Sequence, residues 1–86
     1  MDTHVGGWRE QDTASPFVIQ AAEEALRLIS AKTKAVLPLS KIAAAKTQVV
    51  AGVNFQLVLA CEGRIVKAKV HRSLKNDFSV LSYEFH

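Results

Sequence analysis

Disulfides are the first thing this 86-residue chain lacks. Cys61 is its only cysteine, so no internal bridge can form and packing alone must hold the fold. Long apolar runs are missing too: nothing is long enough to span a bilayer, and no signal-peptide core precedes the polar start. The expected setting is the cytoplasm, or outside the cell as a mature form whose signal has been removed. Charge of one sign is scarce. A net +3 with 22% charged residues is too mild to argue nucleic-acid binding. His4, His71 and His86 show no metal-ligand spacing and read as solvent-exposed, so neither a metal nor a cofactor is expected. Internal repeats and low-complexity tracts are absent as well. What remains is one domain over residues 1–86 with a modest core and an ordinary hydrophobic content of 49%.

The polar opening from Met1 to Ser15 has little to bury, and residues 1–7, ending at Gly6-Gly7, are expected to form a mobile leader. Ser15-Pro16 then opens a helix, with serine as N-cap and proline at the first helical position. Val18, Ala22, Ala25 and Ile29 recur at helical spacing, and Ala21, Leu26 and Leu28 broaden the stripe. The small alanines imply close approach to a sheet. Pro38 forbids continuation, so the helix ends near Lys34.

Past Pro38 the period changes to two. Val53, Phe55, Leu57, Leu59 and Cys61 point one way, and Glu62-Gly63 supplies a tight turn. A two-residue turn sets Cys61 opposite Arg64, Leu59 opposite Val66, Leu57 opposite Ala68 and Phe55 opposite Val70, all on one face. On the other side, pairing Gln48 with Val53 places Ala44 against Leu57 and Ile42 against Leu59. A last strand, Phe78 to Phe85, carries Leu81, Tyr83 and Phe85 at period two. One helix followed by four antiparallel strands makes an α+β domain with the helix across a meander. Cys61 falls on the core face, as a buried structural thiol rather than a nucleophile.

The bend between the first two strands, Gln48-Val49-Val50-Ala51-Gly52, is unusually apolar for a hairpin tip. Two readings stay open on spacing alone: a plug for another protein's groove, or a tip folded back under its neighbours. Because Val53 lies opposite Arg72, this tip and the Ser73-Leu74-Lys75 tip share one end of the sheet.

Gln48 to Gly52 matches the Gln-X-Val-X-Gly motif of the cystatins, protein inhibitors of papain-like cysteine proteases. Val5-Gly6 resembles the cystatin leader, in which an apolar residue before a glycine enters the protease's S2 pocket. The Gly6-Gly7-Trp8 run is similar to the start of plant cystatins. Leu39 to Phe55, Ala68-Lys69-Val70 and the Phe78 to Phe85 ending resemble plant-type or stefin-type members, whose lack of disulfides also fits. The chain departs from that pattern twice. Glu24 stands where plant cystatins carry an aromatic, and Leu74-Lys75 stand where many relatives carry Pro-Trp.

The resemblance implies a cystatin-like fold, with room for a short N-terminal strand beside the four main ones. It implies no enzyme activity and no catalytic residue, but competitive, reversible occlusion of a papain-like protease. The contacts would come from Val5, Gly6, Gln48, Val49, Val50, Ala51, Gly52, Ser73, Leu74 and Lys75. Gly52 would serve either close backbone approach or the bend itself. The chain would be a monomer able to exchange into a domain-swapped dimer, opening where Val49 and Val50 bend sharply. No membrane or nucleic-acid partner is implied. The alternative is a non-inhibitory binding module offering its basic sheet face, with Arg64, Ile65, Lys67, Lys69, His71 and Arg72, to an acidic partner.

Overall fold

A computed structural model describes residues 7–86; residues 1–6, and with them His4 and the Val5-Gly6 pair, lie outside the described part. Among the described residues one helix packs across a five-stranded antiparallel sheet ordered β1-β2-β3-β4-β5. The elements are β1 (Arg9–Glu10), α1 (Pro16–Thr33), β2 (Leu39–Val50), β3 (Gly52–Cys61), β4 (Arg64–Arg72) and β5 (Phe78–Phe85). β1 is the short N-terminal strand, and it pairs with Lys46 and Thr47 of β2.

The helix begins and ends where its residues dictate, with one difference. Pro16 occupies the first turn, but the Ser15 side chain makes no capping bond. A turn takes its place: Asp12 Oδ1 accepts from Ala14 N at 2.9 Å, and the Asp12 carbonyl accepts from Ser15 N at 3.1 Å. At the other end Lys34 adopts a left-handed conformation (φ 64°) and donates its N–H to the Ser30 carbonyl at 2.8 Å, closing the helix before Pro38. Val18, Ala21, Ala22, Ala25, Leu26 and Ile29 are buried; the three alanines let the helix lie close to the strands. Glu24, where the resemblance led to an aromatic, instead accepts from Arg27 Nη2 at 2.6 Å on the water side, an (i, i+3) surface pair that contributes little.

The β3–β4 register is the one the Glu62-Gly63 turn predicts, from Cys61↔Arg64 through Leu59↔Val66, Leu57↔Ala68 and Phe55↔Val70 to Val53↔Arg72. The β2–β3 register differs by one residue. Gln48 faces Asn54 rather than Val53, and Val49 faces Val53, because only Ala51 is left outside the ladder at the tip. Ala45, not Ala44, therefore meets Leu57 and is buried, while Ala44 is exposed. Ile42 still faces Leu59, because a bulge between Ile42 and Ala44 absorbs the offset. A further bulge, on β5 opposite Lys69 and Val70, ejects Leu81 from the ladder. Leu81 is 54% exposed, and the inward line of β5 runs Phe78, Val80, then Tyr83. The bulged residue breaks the period of two, which sequence alternation alone could not register.

The core is Phe55, Leu57, Leu59, Val66 and Val70 of the sheet against Val18, Ala21, Ala22, Ala25 and Ile29 of the helix. Phe55 joins the two layers at the tip end, with Phe17 at 5.0 Å and Phe78 at 6.4 Å between ring centroids. Cys61 lies in this core at the opposite end of β3; burial raises its pKa, more than the nearby Arg64 lowers it. A buried, protonated thiol reacts slowly. A maleimide reagent should therefore leave Cys61 largely unmodified in the native protein at neutral pH and label it rapidly in strong denaturant; fast native labelling would mean that this end of the core opens.

Candidate functional site: the two-tip end of the sheet

The first tip is an extension of the β2–β3 ladder rather than a loose loop. Val49 pairs with Val53 and Val50 with Gly52, so both valines are extended and the reversal falls on Ala51 and Gly52. This corrects the expectation that Val49 and Val50 themselves bend sharply. The positive φ is taken by Gly52, at 102°. Gly52 is buried, and a Cβ on it would run into the carbonyl oxygen of Arg72. The bend requires the glycine's φ, and β4 crosses too close for a side chain.

Around that turn the apolar surface faces water. Val49 is 68% exposed, Ala51 is exposed and Val50 half-buried, so the tip is not folded back under a neighbour. A shallow groove of about 290 Å³ runs beneath it, lined by Gly7, Arg9, Gln11, Thr47 and Val49. Thr47 is buried, and its hydroxyl accepts from Gln11 Nε2 at 2.8 Å, which fastens the chain after β1 to the base of the tip. Gly7, where the described chain begins, thus stands beside Val49. Gln48 is half-buried at the base and accepts from Asn54 Nδ2 at 3.2 Å.

The second tip, between β4 and β5, is organised by Ser73. Its Oγ accepts from the N–H groups of Lys75 and Asp77, both at 3.1 Å, and its carbonyl accepts from Asn76 N at 2.9 Å. Ser73 N donates to the Asp77 carbonyl at 2.8 Å, and Asn76 takes a left-handed φ of 68°. Leu74 is pushed out to 81% exposure with Lys75 beside it. Arg72, at the base, lays its guanidinium 4.3 Å from the centroid of Phe17, tying this tip to the start of the helix.

Sequence reasoning placed the two tips together, and the structure does so: Val53 stands opposite Arg72. It missed the polar row behind them. His71, read as solvent-exposed, is half-buried with Nδ1 2.7 Å from Asn54 Oδ1. The signal was present in the β3–β4 register, which already put Asn54 opposite His71. The basic outer face is also less basic than its lysines suggest. Lys67 has Glu84 as its cross-strand neighbour and Lys46 has Glu10, while Lys69 lies 5.8 Å from the Trp8 ring centroid.

Comparison with known proteins identifies the domain and its fold. Residues 6–83 match the family model described as the cystatin domain. No curated protein sequence matches the chain significantly. Among solved structures the chain is similar to Al-CPI, at 23% identity and a TM-score of 0.72, over 94% of this chain and all of that one. It is similar as well to the salivary cystatin of the soft tick Ornithodoros moubata, at 22% identity and a TM-score of 0.70, over 94% of this chain and 97% of that one. At those identities the likeness concerns the fold, and the family rests on the matched domain. The chain belongs to the cystatin family, a family of protease inhibitors.

Proposed function

We propose that the protein is a reversible, competitive inhibitor of papain-like cysteine proteases that occludes the active-site cleft. The observation that carries this reading is the first tip: Val49 and Ala51 are exposed on a hairpin whose turn is held by a glycine that admits no side chain. Apolar surface on a pre-shaped projection suits a groove, because little freedom remains to be lost on binding. Gln48 supports the tip from below, Val49 and Val50 supply apolar contact, and Gly52 keeps the turn tight. Leu74 and Lys75 form the second contact, with Ser73 shaping the loop that presents them. Val5 and Gly6 form the third. Gly7 beside Val49 supports that assignment, since the leader joins the described chain at the tip end.

Occlusion needs no reacting group. Cys61 lies in the core at the far end of β3, and the tips carry no nucleophile–base pair. The neighbouring carboxylates of Glu10 and Glu84 speak against the basic face as the principal binding surface.

Papain and trypsin assayed side by side test the reading. Saturable competitive inhibition of papain with no effect on trypsin is expected; inhibition of both, or of neither, would overturn it. Removing residues 1–6 should weaken inhibition by an amount that differs among papain-like enzymes, because their pockets differ. An identical loss across several enzymes would contradict a pocket-filling role for Val5.

A further inference from the structure

The first tip overhangs the sheet. β1 pairs with β2 only at Lys46 and Thr47, and the β3–β4 ladder ends at Val53↔Arg72. Val49 to Gly52 therefore project as a ribbon of two strands, a shape that twists readily and is marginally stable by itself. Directly behind the ribbon, Gln48, Asn54 and His71 are cross-strand neighbours on β2, β3 and β4.

These three side chains form a hydrogen-bonded row. Asn54 Nδ2 donates to Gln48 Oε1 at 3.2 Å, which turns Asn54 Oδ1 toward His71 Nδ1 at 2.7 Å. An amide oxygen only accepts, so His71 Nδ1 carries the proton and donates it. The far edge of the same ring lies against the turn. A Cβ on Gly52 would stand 3.0 Å from His71 Cε1 and 3.2 Å from Nε2. The imidazole thus grips the ribbon twice, through a hydrogen bond to Asn54 and as a wall behind Gly52.

We infer that His71 is a positioning residue for inhibition: it braces the first tip in its presented orientation without itself contacting the protease. The inference rests on the proposed inhibitor reading. A ribbon held from behind loses less freedom when it enters a groove, and the gain belongs to the dissociation rate more than to encounter. Asn54 acts in the same relay, since it has both a donor and an acceptor to spend and spends one on each neighbour.

Three substitutions separate the two grips. His71→Ala removes both, His71→Asn restores a side-chain N–H near the position of Nδ1, and His71→Phe restores the wall alone. His71→Ala should speed dissociation from papain about tenfold, with each of the other two recovering part of the loss. Adding Asn54→Ala to His71→Ala should cost little more, because the relay is already broken. Amide hydrogen exchange supplies a readout that needs no protease. In His71→Ala the amides of residues 49–52 should exchange about tenfold faster while those of Leu57 and Val66 keep their protection. Unchanged tip exchange, or faster exchange spread equally over tip and core, would overturn the brace. A wild-type protein that fails to inhibit papain would remove the inhibitor reading, and the exchange data would still decide whether His71 holds the tip.

Discussion

Gly52→Ala is expected to weaken inhibition of papain by about 2–4 kcal/mol, roughly 30-fold to 1000-fold, the range of a residue central to an interface. The methyl group meets two obstacles at once. A φ of 102° lies where side-chain-bearing residues are strained, and the added Cβ runs into the Arg72 carbonyl. The turn must open or β4 must retreat, and either displaces Val49 and Ala51 from their presented positions. The fold is affected as well, by about 1–3 kcal/mol of backbone strain. In a domain of this size that corresponds to a fall in thermal midpoint of at least about 4 °C. The loss of inhibition thus arrives with a measurable loss of stability, as it would not if Gly52 served protease contact alone. Val49→Ala provides the contrast. It removes exposed surface, so it should weaken inhibition by about 1–2 kcal/mol and leave the midpoint within about 2 °C. A Gly52→Ala protein with unchanged midpoint and unchanged inhibition would show that neither the turn nor the tip matters.

Phe55→Ala is expected to cost about 3–5 kcal/mol of stability, the range for removing a large aromatic from a packed core. Phe55 is fully buried, and its ring meets Phe17 of the helix and Phe78 of β5. Small domains hold only about 5–15 kcal/mol in total, so the midpoint should fall by more than about 12 °C. The damage falls at the tip end, where Phe17 also receives the Arg72 guanidinium. Inhibition should therefore fade at temperatures where far-ultraviolet circular dichroism still reports the sheet. Leu81→Ala is the control. As an ejected bulge residue, Leu81 should tolerate truncation within about 0.5 kcal/mol. A large destabilisation at Leu81 would mean that it faces the core after all.

The contrast between Phe55 and Leu81 also marks what could be read from the residues alone. Alternation along Val53 to Cys61 and the two-residue Glu62-Gly63 turn pin the β3–β4 pairing, because a slip of one residue would turn Phe55, Leu57 and Leu59 to water. The helix was legible for the same kind of reason: its stripe, its proline start and Pro38 agree. Bulges leave no such trace. The tight reversal at Ala51 moved burial from Ala44 to Ala45, the extra residue between Ile42 and Ala44 returned Ile42 to Leu59, and the one at Leu81 broke a period that looked continuous. The candidate site divides similarly. The apolar tip and its company with Ser73 to Lys75 follow from local pattern plus one register. The obstruction at Gly52 depends on a carbonyl twenty residues along the chain, and the His71 relay spans three strands. Long-range neighbours of that kind are set by packing, not by local spacing.

Occlusion without reaction is the central claim, and titration of active papain at a concentration well above the dissociation constant tests it most directly. Activity should fall linearly to an end point at one inhibitor per enzyme. Dilution or denaturation of the complex should then return the inhibitor at its full intact mass. Activity that survives a severalfold excess of the protein, or recovery of a chain cut near Ala51, would contradict a wedge that covers the catalytic cysteine and leaves it unmodified.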